Sequence, residues 1–326
     1  FFFALLPVLT NNSMAFNRLA RQVACTFPKI RGVQRVASLP VNVVKSEYTA
    51  VHFRLTPHEH PLGTNTWKNP TQNHVWSEPE VDQALQYHPH YEPQTMMDRI
   101  IFRLLRGAYH TFNFLTRYNK EDPTPKSIEL RLIFLESIAG VPGMVAASMR
   151  HFRSLRTMRR DNGWIHTLLE EAENERMHLL VFMRMFQPGI VTRALVIAAQ
   201  VVLVTLLAGT YSVCPRAMHR FVGYLEEMAV DTYTDIVKHM KTPGSKLNTC
   251  WMQLPAPEIA RQYWRLPDTA MFVDVLRHVG ADETHHRDVN HTFASLDLQE
   301  TNPFVFTHLE DAAAAWKQDS PAPSKV

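Results

Sequence analysis

Two Glu-x-x-His pairs, Glu175-Arg-Met-His178 and Glu283-Thr-His-His286, carry side chains able to bind a metal. In a helix the third residue on lies over the same face, so each pair aims a carboxylate and an imidazole at one point. At this Glu and His content roughly one such pair arises by chance, so neither is informative alone. Their order adds the information. Glu136 precedes the first pair and Glu226, with Glu227 beside it, precedes the second, each in an apolar stretch. Glu136 sits in Leu-Ile-Phe-Leu-Glu-Ser-Ile-Ala, where an unpartnered carboxylate is costly to bury. Four carboxylates converging in an apolar interior would repel one another and take up protons unless a cation were present. A donor set rich in oxygen, with two imidazoles, suits iron that uses oxygen.

Single Glu, Glu-x-x-His, single Glu, Glu-x-x-His is the ligand order of ferritin-like di-iron four-helix bundles. Ligands on antiparallel neighbours must lie at one height, and segment lengths test this. From Glu136 to Arg150, and from Asp161 to Glu175, roughly 14 residues run each way, about 21 Å of helix. The basic stretch His151 to Arg160 is then the connector. Glu226 to Met240 and Asp268 to Glu283 match similarly, with Pro243-Gly244, Pro255, Pro257 and Pro267 marking a loop between them. The expected fold is all-α, a ferritin-like di-iron bundle with two further long apolar or amphipathic helices.

One of these lies between Arg193 and Arg216, an uncharged run about 30 Å long if helical. Hydropathy alone would make it a membrane span. A single crossing, however, would place Glu175 and His178 on one side and Glu226, Glu283 and His286 on the other. The run therefore reads as the crossover between two helical hairpins. One face packs on the bundle, and the other, with an amphipathic helix from about Asp98 to Tyr118, lies in one leaflet. Arg193, Arg216 and Arg220 are expected to reach lipid phosphates. The basic stretch Arg150, Arg153, Arg156, Arg159 and Arg160, beside an apolar face, suits anionic lipid.

The 326 residues carry a net charge of only +3, which argues against a dedicated nucleic-acid binder. Cys25, Cys214 and Cys250 show no metal-like spacing or disulfide framework. No acidic residue occurs from Met14 to Ser46, while Arg18, Arg21, Lys29, Arg31, Arg35 and Lys45 recur. Residues 14–46 thus read as a mitochondrial presequence, and 1–13 as a translated upstream segment. Residues 47–93 form a Pro- and His-rich arm containing His58, His60, His74, His88 and His90; prolines there interrupt any scaffold able to aim those rings. The expected di-iron domain spans 94–297, followed by a tail from 298 to 326.

These residues resemble the alternative oxidases, the cyanide-insensitive ubiquinol oxidases of mitochondria. The resemblance covers about Asp98 to Phe293 and rests on Leu135-Glu136-Ser137, Asn174-Glu175-Arg176-Met177-His178-Leu179, Leu225-Glu226-Glu227-Met228-Ala229 and Ala281-Asp282-Glu283-Thr284-His285-His286-Arg287. Ala139-Gly140-Val141-Pro142-Gly143-Met144 and His219-Arg220-Phe221-Val222-Gly223-Tyr224 are most similar to the trypanosomal branch. The resemblance implies that Glu136, Glu175, His178, Glu226, Glu283 and His286 hold two irons, with Glu226 chosen over Glu227. It places Asn174, Asp282 and Trp264 in a hydrogen-bond set behind the ligands, and Tyr233 near the irons as a catalytic residue in electron transfer. It assigns quinol binding to Arg131, Leu135, Leu225, Ala229 and Thr232, with His219 and Tyr211 at functional positions nearby. Departures are Ser137 for Thr, Met228 for Glu and Gly280 for Arg. No plant-type regulatory cysteine is evident.

The implied function is a terminal oxidase that oxidises ubiquinol and reduces O2 to water without pumping protons. It implies a homodimeric, monotopic protein on the matrix side of the inner mitochondrial membrane. Two other readings share the ligand logic: a di-iron quinone or lipid hydroxylase, separated by an oxygenated product, and a ferritin-like iron-binding protein, separated by the lack of quinol turnover.

Overall fold

A computed structural model describes residues 75–304. The expected upstream segment 1–13, presequence 14–46, arm residues 47–74 and tail from 305 lie outside the described residues. Within them every long element is helical: α1 (Glu78–Gln86), α2 (Met96–Thr116), α3 (Pro125–Thr157), α4 (Trp164–Met185), α5 (Ile190–Val213), α6 (Pro215–Lys241), α7 (Lys246–Trp251), α8 (Glu258–Trp264) and α9 (Phe272–Ser295). The bundle is built from two closely packed pairs, α3 with α4 and α6 with α9.

Local chemistry sets the ends of these helices. Thr124 caps α3 by accepting from Ser127 N, and Pro125 occupies the first turn, where its missing N–H costs nothing. The helix does not stop at Arg150: it runs to Thr157 and closes at Met158 in the left-handed region, so the connector is 158–163 rather than His151 to Arg160. Nothing in His151–Thr157 breaks a helix, and Thr157 Oγ1 donates back to Arg153 O at 2.7 Å. The turn back is made by Asn162 (φ 61°) and Gly163 (φ 86°). Asp161 then caps α4, accepting from Ile165 N at 2.6 Å, while Arg150 Nε donates to its other oxygen. The Pro-rich stretch between α6 and α9 is likewise not all loop, since it contains α7 and α8.

The crossover α5 lies on α3 and α6 along one edge, where Gln200 Nε2 donates to Ser137 O and Leu207 and Tyr211 are buried. Only 6% of its most apolar window is buried. Exposed Ile197, Val201 and Val204 on α5, and Ile100, Leu104 and Phe114 on α2, leave both helices with large bare apolar surfaces.

The arginines differ from expectation. Arg220 is not available to lipid: it is buried, donating to Asp98 Oδ1 (3.2 Å), His291 Nδ1 (2.7 Å) and Ser295 Oγ (3.1 Å), and lies 3.6 Å from the Tyr91 ring centre. A buried guanidinium needs such partners, and here they tie α2 and α9 to α6. Arg216 turns to Leu296 O and Asp297, while Arg193 stays exposed. The described part of the arm, 75–93, contains a helix despite its prolines. Pro79 falls in the first turn of α1, where it is tolerated, and Arg277 of α9 pairs with Glu78 and Asp82.

The pairing of α3 with α4 depends on a missing side chain. A Cβ at Gly143 would lie 2.7 Å from Leu168 O, whereas one at Gly107 on α2 would meet nothing within 4 Å. Gly143→Ala is expected to destabilise the fold by about 1–3 kcal/mol. Gly107→Ala should stabilise it by about 0.5–1 kcal/mol. Thermal unfolding of the two variants checks the opposite signs.

Candidate metal centre

Four helices deliver the predicted ligands to one buried place. Glu136 comes from α3, Glu175 and His178 from α4, Glu226 from α6, and Glu283 and His286 from α9; all six are buried. One donor atom from each of Glu136, Glu175, His178 and Glu283 lies within 4.8 Å of the others. His178 Nδ1 is 3.4 Å from Glu136 Oε2, 3.6 Å from Glu175 Oε2 and 3.3 Å from Glu283 Oε1. His286 Nδ1 is 2.7 Å from Glu175 Oε1 and 3.2 Å from Glu283 Oε2. Yet Glu136 Oε2, both Glu175 oxygens and His178 Nδ1 make no hydrogen bond. Buried polar atoms are seldom left so; atoms this close, aimed at a common centre rather than at one another, fit a metal site.

The electrostatics carry the same message. Burial, with the charges of Glu175 and Glu283 adding to it and His178 opposing, pushes the Glu136 carboxyl up to about 8. Burial and the neighbouring Glu283 and Glu175 push Glu226 well above the carboxylate range. Burial opposes the charged form of Glu175 too, but His286 and His178 outweigh it and hold that carboxyl low. Burial also works against protonated His178 and His286, and the surrounding carboxylates raise both well above the ordinary imidazole range. These opposed shifts describe negative charge compressed into one volume with protons standing in for cations.

Behind His178 lies Asp282, whose Oδ2 accepts from His178 Nε2 (3.0 Å), Asn174 Nδ2 (2.9 Å) and Trp264 Nε1 (2.9 Å). With Nε2 as the donor to Asp282, Nδ1 is the nitrogen turned to the carboxylates and would bind a metal on losing its proton, the carboxylate–histidine–metal arrangement. The structure thus brings Asn174, Asp282 and Trp264 together as expected from the resemblance. It adds two groups: Trp76 Nε1 donates to Asp282 Oδ1 at 2.6 Å, and Tyr263 OH accepts from Asn174 Nδ2 at 2.9 Å. Trp76 stands in the arm, over 200 positions from Asp282, so no spacing could have revealed it.

Tyr233, buried on α6, donates its hydroxyl to Glu136 Oε1. Arg131 is buried, donates to Asn113 Oδ1 at 2.6 Å and faces the rings of Tyr118, Tyr109 and Phe112. Thr232 is buried, and Leu135, Leu225 and Ala229 are half-buried on α3 and α6, the helices that α2 overlies. His219 and Tyr211 belong to a different core cluster with Trp164 and Phe293. The structure does not bring them to Arg131. Gly280, where Arg was the expected residue, faces Leu85 and Tyr233, so a Cβ there would be 2.8 Å from Leu85 Cδ2; α1 fills that space.

Sequence reasoning missed Glu171 and Asn290. Glu171 is buried and accepts from Asn290 Nδ2 through both oxygens (3.0 and 2.9 Å); Asn290 also donates to His286 O and accepts from His219 Nδ1. Burial, opposed by the His286 charge, lifts Glu171 to about 7. The signal was present: Glu171 is one turn before Glu175, and Asn290 one turn after His286, each on a ligand-bearing face.

Residues 76–295 match the family model for alternative oxidase, and the chain belongs to that family. The mitochondrial alternative oxidase of Cryptococcus neoformans is 54% identical over 189 residues, 57% of this chain and 46% of that protein, so the match spans about half of that relative. That of Trypanosoma brucei brucei is 42% identical over 235 residues, covering 71% of this chain and 70% of the relative. The Neurospora crassa protein is 40% identical over 256 residues, 73% and 70% respectively.

Without metal, Glu136, Glu171 and Glu226 keep protons that the unfolded chain has released, and His178 and His286 stay protonated above the ordinary imidazole range. The native state then binds more protons than the unfolded one, so stability of the chelated protein should fall as pH rises from about 5 to 8. Glu175, held low, titrates below this window. Adding Fe(II) should flatten the dependence, as read by melting temperature across pH. Asp282→Asn, which removes the acceptor that orients His178, should weaken metal binding about 10–100-fold in a Co(II) titration.

Proposed function

We propose that this chain is a ubiquinol:oxygen oxidoreductase, a terminal oxidase that reduces O2 to water at a di-iron centre. The observation that carries the reading is the convergence of Glu136, Glu175, His178 and Glu283 with unpartnered donor atoms, in a chain of this family. Glu136, Glu175, His178, Glu226, Glu283 and His286 would hold the irons. When bound, the metal pair supplies the electron transfer between quinol and O2. The protein's own groups do the rest. Asp282 fixes His178; the apolar helices keep bulk water away. Tyr233, bonded to Glu136 and next to Thr232 in the chain, joins the ligand set to the region between α2, α3 and α6 where Arg131, Leu135, Leu225 and Ala229 would take the quinol head. We assign the quinol to that group and not to His219 and Tyr211.

Oxidation of two quinols releases four electrons and four protons, which match the reduction of one O2 to two waters. The bare apolar faces of α2 and α5 would rest in one leaflet, giving the quinol a direct route from lipid. All ligands lie in one bundle, so electrons and protons are taken up and delivered on one side of the bilayer, and no proton is pumped. We place the protein as a homodimer on the matrix face of the inner mitochondrial membrane, with residues 94–297 as the oxidase domain.

Purified protein should consume oxygen with a short-chain ubiquinol in the presence of cyanide, forming quinone and no oxygenated product. Glu175→Ala or iron chelation should abolish this; persistence of uptake would sink the assignment. Tyr233→Phe should retain iron but lower kcat about 100-fold if the hydroxyl moves a proton in the slow step, measured beside iron content per chain.

A further inference from the structure

The α3–α4 turn holds a concentration of positive charge that the reaction does not use. Arg150, Arg153, Arg159 and Arg160, with Leu298 and Gln299, line a shallow cleft that is open on one side. Its floor is electrically settled: Arg150 pairs with Asp161 at 2.6 Å and lies 4.1 Å from the Trp164 ring centre. The other three have no carboxylate partner among the described residues. Their backbone is fixed by turns at Met158, Asn162 and Gly163, all at positive φ, and by the Ser154 hydroxyl bonded to Arg159 O. Three guanidinium groups brought to one cleft repel each other, and an anion with several oxygens relieves that repulsion. Arginine's planar fork suits phosphate in particular, because it can donate two parallel hydrogen bonds.

Exposed apolar side chains lie close by along the chain: Met158, which closes the helix between the lining residues Thr157 and Arg159, is 91% exposed, and Phe152 is exposed on the last turns of α3. The crossover ends at the same place. Helix α5 runs parallel to α3, with Gln200 at Ser137, and Tyr211 near its end packs on His219, which packs on Trp164 beneath Arg150. Its terminal Val213 is 88% exposed. A free phosphate would use the arginines alone; a phospholipid would use both the arginines and the exposed apolar side chains at this end of the bundle.

We propose that this cleft binds the phosphate of an anionic phospholipid, whose acyl chains lie over Phe152, Met158 and the end of α5. The proposal rests on the membrane-facing reading of α2 and α5 and adds a headgroup site to it. The test is partition of the full-length protein onto vesicles of phosphatidylcholine alone, and of phosphatidylcholine with one lipid in five replaced by phosphatidylglycerol. Each basic residue near an anionic surface contributes about five-fold, so the triple variant Arg153→Gln, Arg159→Gln, Arg160→Gln should lose on the order of 100-fold on the anionic vesicles. It should match the unaltered protein on neutral ones. A second triple, Lys126→Gln, Lys238→Gln, Lys241→Gln, removes equal charge from exposed positions at the other end of the bundle and should keep its preference for anionic vesicles.

Equal losses in the two triples would show general charge attraction and overturn the site. Equal partition of the unaltered protein onto both vesicle types would overturn it too, while leaving the membrane-facing reading intact; failure to bind either type would overturn both. Inorganic phosphate without vesicles, at ionic strength matched with chloride, should leave the melting temperatures unchanged. A phosphate-specific stabilisation lost in the arginine triple would mark a free-anion site and reject the lipid assignment.

Discussion

Mutual repulsion among buried carboxylates governs this structure. Glu136, Glu175, Glu226 and Glu283 are held together inside a bundle with little water to screen them, and like charges at such distances cannot all stay ionised without compensation. The bundle supplies part of that compensation as two imidazoles, and leaves a set of donor atoms with no hydrogen-bond partner for a cation to satisfy. Everything nearby serves to keep those atoms from relaxing toward one another. The close α3–α4 contact at Gly143, the Asp282 hydrogen bonds and the Tyr233 contact all restrict movement of ligand-bearing groups. Metal binding and folding are thus one free-energy problem.

The outer ring shows how widely that restraint is distributed. Asp282 collects donors from α4, from α8 and from the arm through Trp76. On the other side of the ligands, Asn290 links Glu171, His286 and His219. One network is built on a carboxylate with a lowered pKa and the other on one that is raised. The difference follows from partners. Burial pushes both up; at Asp282 the imidazole, indole and amide donors outweigh it, whereas at Glu171 it prevails over the nearby His286 charge and a single neutral amide donor, with Glu175 and Glu283 adding to it.

Much of this was legible in the sequence because helical periodicity turns spacing into geometry. The two Glu-x-x-His pairs, preceded by Glu136 and Glu226, specified which faces meet, and matched segment lengths specified two hairpins. What the sequence concealed depended on contacts between distant segments. Trp76 reaches Asp282 from an arm whose prolines argued against structure. Arg220 sits beside the apolar crossover, where a lipid-facing role is natural, but the buried Asp98 of α2 claims it. The connector was misplaced for a different reason. Basic residues carry no helix-stop signal, and α3 ended only where the chain entered the left-handed region at Met158.

The same centre decides how the most apolar helix relates to its surroundings. Length and hydropathy allow α5 to cross a bilayer, but α4 before it and α6 after it both carry candidate ligands into one buried interior, where Glu226 of α6 feels the charges of Glu283 and Glu175. A crossing would need a return before Glu226, and α6 starts at Pro215, immediately after α5 ends. With the edge bearing Gln200, Leu207 and Tyr211 packed on the bundle and the remainder bare, α5 has one side for protein and one for an apolar environment. Convergence of side chains from helices on both sides of α5 thus becomes a constraint on topology: a helix lying along an apolar surface satisfies it, and a single crossing that separates α4 from α6 does not.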